Sequence, residues 1–187
     1  SLDYKGNKDI TWETSHSFNT GFDYAFFSNR LTGSLEYFSR KTTDMLYYKP
    51  TAPSLGYSTL PMNVGSMINR GVELDINGVL YENRNIEWSA NVNLTHVRNK
   101  IKKLDKSLNG QLIDGSRIYR EGESLYQLYL RKYAGVNDEG VALYYMEQEN
   151  EETGAMETVT TTTWGNATQY GTGDILPKVY GGFGTSL

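Results

Sequence analysis

The sequence contains no cysteine, so neither a disulfide framework nor a thiolate metal site is open to it. Histidine is almost as scarce. His16 and His96 stand far apart with no carboxylate motif near either, and a metal centre needs more ligands than that. No metal or organic cofactor is therefore expected. Charge of neither sign dominates: 18 Lys and Arg face 22 Asp and Glu, net −4. That leaves no basic footprint for nucleic acid. No apolar run approaches the roughly 18 residues of a membrane helix, which does not exclude a barrel, since a barrel strand is only half apolar. No signal peptide opens the chain, so the expectation is a cytoplasmic protein or an internal piece of a longer one. Proline numbers only 4, and Pro50, Pro53 and Pro61 fall in one stretch.

Tyrosine, at 15, and glycine, at 19, are plentiful among few helix-favouring runs, which reads as all-β. The organising stretch is a hairpin over 69–95. Val72, Leu74, Ile76 and Leu80 share one face with Ile86, Trp88, Ala90, Val92 and Leu94. Glu73, Asp75 and Asn77 share the other with Glu87, Ser89, Asn91, Asn93 and Thr95. Strand side chains alternate between faces, so one face is apolar and the other polar almost throughout. A soluble sheet would set the apolar face on a core. A membrane barrel would set it in lipid, with the polar face lining a wet lumen. Length favours the barrel: soluble strands run about five or six residues, and membrane strands about nine to eleven. Trp88 lies near the turn 82–85, where an interfacial aromatic belongs.

A second long hairpin precedes it. Trp12, Phe18, Phe22, Tyr24 and Phe26 share one face, and Glu13, Ser15, Ser17, Asn19 and Asp23 the other. After a turn at 28–30, Leu31, Gly33, Leu35 and Tyr37 oppose Thr32, Ser34, Glu36 and Arg40, while Phe38 interrupts the polar face. The proline-rich stretch 45–67 reads as an irregular connection, because proline cannot donate to a ladder. Region 104–176 reads as one large loop, with a short hairpin about its turn at 137–140. A strand resumes near Lys178 and carries Val179, Phe183 and Leu187 on one face. Turns thus alternate short, long, short, as they do in barrels with periplasmic turns and longer external loops. With the short turns periplasmic, 104–176 lies outside the cell.

Candidate functional residues fall into three sets. Phe18, Phe22, Leu35, Val72, Leu74, Ile76, Trp88, Val92, Leu94 and Phe183 are assigned to lipid. Glu13, Asp23, Glu36, Arg40, Glu73, Asp75, Asn91 and Asn93 are assigned to the lumen, where Arg40 and Arg70 are available to pair with carboxylates. Catalysis would need two carboxyls at fixed separation with unlike pKa values, and period-two spacing does not supply that. No catalytic residue is assigned. Tyr126, Tyr129, Tyr133 and Trp164, with Tyr144, Tyr145 and Tyr170 nearby, offer flat faces for a sugar, a peptide or a covering protein. The alternative is that they pack the loop against itself. The acidic run 147–152 lacks the spaced pattern of a calcium loop and reads as solvated. Thr158 to Thr163 reads as an exposed loop strand. Two glycosylation sequons, at Asn93 and Asn166, need a eukaryotic secretory context and are set aside.

Several stretches carry a resemblance: Trp12-Glu13, Gly21-Phe22-Asp23, Phe27-Ser28-Asn29-Arg30-Leu31-Thr32-Gly33 and Lys41-Thr42-Thr43-Asp44-Met45-Leu46. The most specific is Asn63-Val64-Gly65-Ser66-Met67-Ile68-Asn69-Arg70-Gly71-Val72-Glu73-Leu74. Trp88-Ser89, Asn99-Lys100-Ile101, Tyr133-Ala134-Gly135-Val136 and Pro177-Lys178-Val179-Tyr180-Gly181-Gly182-Phe183 follow in order. The chain resembles the SusC/RagA family of TonB-dependent outer-membrane importers of Bacteroidota. The resemblance implies an antiparallel transmembrane β-barrel, with residues 1–187 a late piece holding about five strands of a larger, 22-stranded plugged barrel. It implies import of glycans or peptides at the bacterial outer membrane, driven by TonB, under a SusD-like lipoprotein lid. The partners it implies are the rest of the barrel and its plug, that lipoprotein, TonB, an oligosaccharide or peptide substrate, and outer-membrane lipid. The plug, the TonB-contacting segment and the closing strand fall outside the sequence, so the piece alone is expected not to function. A soluble carbohydrate-binding β-sandwich, and a passive porin or adhesin barrel, are the competing readings.

Overall fold

Alternation favours extended backbone, and strands are what the chain forms. The structure, a computed structural model, describes residues 2–187, with side chains from residue 5 onward. The strands in order are β1 (Leu2–Tyr4), β2 (Thr14–Phe26), β3 (Leu31–Thr43), β4 (Leu46–Pro50), β5 (Tyr57–Asn63), β6 (Gly65–Glu82) and β7 (Glu87–Leu104). Then come β8 (Gln111–Asp114), β9 (Arg117–Arg120), β10 (Gln127–Arg131), β11 (Tyr133–Val136), β12 (Ala142–Glu149), β13 (Met156–Thr161), β14 (Gln169–Asp174) and β15 (Val179–Ser186). The chain divides into two compact units, one of residues 1–111, 120–125 and 176–187, the other of 112–119 and 126–175.

The first unit is built on a five-stranded sheet in the order β15-β7-β6-β3-β2, antiparallel at every pairing. β2 and β3 run 13 residues each and β6 and β7 run 18 each, well beyond the length usual in soluble sheets. Register sorts the side chains into rows. Phe22, Leu35, Leu74 and Leu94 stand in one row that ends at Gly181. The row nearer the short turns is Tyr24, Gly33, Ile76, Val92 and Phe183. On the opposite face, Asp23, Ser34, Asp75 and Asn93 form a row ending at Gly182. Nothing among the described residues packs on the apolar face: Phe22 is 60% exposed and Phe183 74%.

Local chemistry closes the hairpins. In the turn after β2, Phe27, Ser28 and Asn29 all have positive φ, a conformation uncommon for residues other than glycine. In the turn after β6, the Asn83 side-chain oxygen accepts the amides of Asn85 (2.8 Å) and Ile86 (2.9 Å). The ladder closes on Glu82 and Glu87, so the turn is 83–86, one residue later than expected, and Ile86 sits in the turn and not on the strand. Leu80 is the extra residue of a bulge between Val79 and Tyr81. The bulge brings Tyr81 opposite Trp88, where strict alternation had placed Leu80 on that face.

Three other expectations are corrected. Trp12 and Glu13 precede β2, and the Glu13 carboxylate accepts the Leu46 amide at 3.3 Å. Residues 45–67 are not irregular, since β4 and β5 form an antiparallel pair there and β6 begins at Gly65. The prolines fit because none is asked for a ladder donor it lacks. Pro50 ends β4, Pro53 opens a 3-10 turn, and Pro61 lies beyond the end of the β1 pairing, its carbonyl held by Asn7 at 3.1 Å. Third, the region between β7 and β15 holds more than the hairpin expected about 137–140, which β11 and β12 form: it carries two small sheets, β14-β10-β9-β8 and β11-β12-β13. The acidic run lies partly in β12, and most of the threonine run lies in β13, paired with β12 through six register positions.

Candidate functional site

The first unit offers its polar face. Asp23, Glu36, Glu73, Asp75, Asn91 and Asn93 occupy adjacent rows of it, with Arg40 nearer the long connections. Register sets Glu36 directly against Glu73. Asn77 donates to the Asp75 carboxylate two positions along, and Arg40 donates to Ser17 at 3.2 Å. Phe38 interrupts this face because its ring fills the space above Gly71, where an added Cβ would lie 2.3 Å from the ring. Arg70 is not on this face. Register places it with Val72 and Leu74, opposite Arg98.

The apolar face gathers Phe18, Phe22, Leu35, Val72, Leu74, Ile76, Trp88, Val92, Leu94 and Phe183. Its lower edge is aromatic. Tyr24 and Phe26 stack at 5.7 Å, and the Tyr24 hydroxyl crosses Gly33 to donate to the Asp75 carbonyl at 3.0 Å. Gly33 leaves room for that crossing: a Cβ there would meet the Tyr24 hydroxyl at 2.6 Å. The Trp88 indole donates to Thr185 at 2.9 Å. Its ring thus stays on an apolar surface while its polar edge is satisfied.

The second unit separates the four aromatic candidates. Tyr133 and Trp164 converge on Tyr144, with ring centroids 6.3 and 4.8 Å from it. The Arg131 guanidinium stands 5.1 Å from the Trp164 centroid and donates to the Ala167 carbonyl at 3.0 Å. Tyr133 and Trp164 remain more than half exposed. This cluster presents flat faces beside a fixed positive charge. Tyr126 and Tyr129 belong to the other sheet region, Tyr126 beneath Arg117 at 6.0 Å and Tyr129 paired with Gly171. Beside the cluster, the Glu147 carboxylate accepts the Tyr170 and Thr158 hydroxyls at 2.8 Å each. Burial, and then the hydrogen bond to Glu147, push the Tyr170 phenol above its ordinary pKa. Sequence reasoning found Tyr144 only as one aromatic of several, and it missed Arg131. Alternation along β10 marks no special place for that arginine, because its Ala167 partner lies 36 positions further along the chain, with Trp164 just before it.

Comparison with known proteins follows the same lines. Residues 2–184 match the family model described as TonB dependent receptor-like, beta-barrel. TonB-dependent receptor P3 of Formosa agariphila is 34% identical over 142 residues, covering 72% of this chain and 14% of that protein. TonB-dependent receptor SusC of Bacteroides thetaiotaomicron is 30% identical over 99 residues, 52% of this chain and 10% of that one. The structure of the RagAB peptide transporter superposes with a TM-score of 0.74 at 32% identity, covering 96% of this chain and 20% of its own. The chain thus spans a fifth or less of these relatives. By its strands, their two-faced register and these matches, it belongs to the TonB-dependent receptor β-barrel family.

Proposed function

We propose that this chain is a stretch of barrel wall in an outer-membrane importer of oligosaccharides or peptides. The observation that carries the reading is the cross-strand register, which sorts five strands into one apolar and one polar face. The apolar face, with Leu74, Ile76, Val92 and Leu94 at its centre, meets lipid. The polar face, with Asp23, Glu36, Glu73, Asp75, Asn91 and Asn93, lines the lumen around a plug. The short turns lie on the periplasmic side and the region 104–176 outside the cell. There Tyr133 and Trp164, joined by Tyr144 and Arg131, contact substrate or a SusD-like lipoprotein, with Tyr126 and Tyr129 as further contacts. Aromatic faces beside a guanidinium suit sugars and peptides alike. TonB would act through other parts of the protein. Support for a substrate of this kind is the likeness to SusC and to RagAB, the latter described as a peptide transporter.

The test is facing. In the complete transporter, Leu74→Arg should cost about 2–4 kcal/mol if it lies near the membrane midplane. Glu73→Gln beside it should barely change assembly. Heat-modifiable migration of the barrel on gels reads both. Assembly that tolerates Leu74→Arg and fails with Glu73→Gln would invert the reading.

A further inference from the structure

Toward the long connections the apolar face changes character. The row of Thr20, Tyr37, Val72, His96 and Val179 is followed by Arg70 and Arg98, paired directly across β6 and β7. One row further stand Lys41 and Lys100 on either side of Ile68, with His16 at the β2 end. Lys103 follows, opposite Ser66. Lys103 has the Asp105 carboxylate near it, but among the described residues none of Arg70, Arg98, Lys41 and Lys100 makes an ion pair, and their rows contain no Asp or Glu. Arg70, Arg98 and Lys41 are exposed. Like charges set directly opposite destabilise a ladder. Two facing guanidiniums flanked by lysines are therefore unfavourable unless an anion lies among them.

Height selects the anion. Arg98 is ten residues beyond Trp88 on one strand. At about 3.4 Å per residue and a tilt of about 40°, that is roughly 26 Å along the barrel axis. The outward apolar band of a membrane barrel is about 25 Å tall. With Tyr81 and Trp88 at one interface, Arg70 and Arg98 reach the other, on the lipid side and at the end of the long connections.

We propose that Arg70 and Arg98, with Lys41 and Lys100 beside them, bind the phosphate groups of lipid in the outer leaflet. The inference rests on the reading that this face meets lipid. Guanidinium forks match phosphate oxygens in bidentate fashion, and lysines add point charge near the headgroups. An anionic protein edge fits less well, because these side chains stand on the wall that faces the bilayer and not on the surface above it.

The experiment uses the complete transporter, extracted from outer membranes in mild detergent, with co-purifying phosphorylated lipid counted per protein by mass spectrometry. Arg70→Gln with Arg98→Gln should lower that count about tenfold or more. Arg84→Gln, in the short turn at the opposite end, should leave it unchanged. An unchanged count in the double variant overturns the proposal. Should the double variant not assemble, Arg98→Gln alone is read the same way, with a loss of about fivefold expected. A second arm reconstitutes the wild type with the same lipid after enzymatic removal of its phosphates. Retention that persists there also overturns the proposal, whereas its loss supports lipid phosphate as the ligand. Failure of the underlying reading looks different, because Leu74→Arg would then be tolerated. Failure of this inference alone leaves Leu74→Arg damaging and lipid content unmoved by the arginine variants.

Discussion

Asn99 shows what a single side chain does at the end of a long strand. It is 5% exposed, and its amide donates to Asn69 at 2.6 Å while its oxygen accepts the Leu125 amide at 2.7 Å. Around it, the Ile101 amide donates to the Glu123 carbonyl and the Gly122 amide to the Ile101 carbonyl, both at 2.8 Å. The Glu121 carboxylate takes the Leu104 amide at 2.8 Å. Together these bonds fix residues 120–125 to the end of β7. Asn99→Ala would leave the Leu125 amide without its acceptor, at a cost of about 1–3 kcal/mol. Protease cleavage within 120–125 should accelerate in that variant of the complete protein and stay unchanged in Asn91→Ala, whose side chain is exposed. Equal cleavage rates in the two would contradict this role. The sequence marks Asn99 as a strand residue within a stretch that carries the resemblance, and not as a tether, since the Leu125 amide lies 26 positions away and no periodicity joins them. Phe38 was legible as an anomaly on the polar face. Its explanation, Gly71 across the ladder, required the register.

At the scale of elements, the two long hairpins were legible because each alternates for longer than a soluble strand needs and closes on a polar turn. The bulge at Leu80 was not, since a bulge is one residue of mismatch between two strands and leaves no trace in either alone. Nor was the β4–β5 pair, where proline weighed against strands that in fact place each proline outside the ladder's demands. The bulge supplies a test of register. Deleting Leu80 removes only the unpaired residue and keeps Tyr81 opposite Trp88, so the barrel should still assemble. Deleting Ile76 shifts one side of β6 by a residue and turns its side chains to the wrong faces, so assembly should fail. Assembly yields read by heat-modifiable migration compare the two. Equal yields would mean that this register does not govern the wall.

For the molecule as a whole, the sequence separates a wall region from a large connection and shows within it the hairpin about 137–140 and the strand of the threonine run, but not the sheet of β8, β9, β10 and β14. Its strands are short, and their pairings join residues whose alternation is brief. The aromatic candidates were legible as a composition. The convergence of Tyr133, Tyr144 and Trp164 beside Arg131 depends on how β11, β12 and the turn at Trp164–Asn166 fold together. Replacing 126–175 with a Gly/Ser linker, while keeping the 120–125 segment on β7, should leave the barrel able to assemble and weaken substrate uptake or lipoprotein association. Normal uptake and normal co-purification of the lipoprotein, at normal barrel levels, would remove any functional role from that unit.

Which face of the wall meets lipid is read by site-by-site accessibility. The sequence has no cysteine, so single cysteines can be placed at each position from Val72 to Asn77 and spin-labelled in the complete protein, reconstituted in bilayers. Collision with oxygen, which concentrates in lipid, should be high at 72, 74 and 76. Collision with a water-soluble nickel chelate should be high at 73, 75 and 77, out of phase with the first. Two profiles in phase, or a chelate maximum at Leu74, would contradict the account.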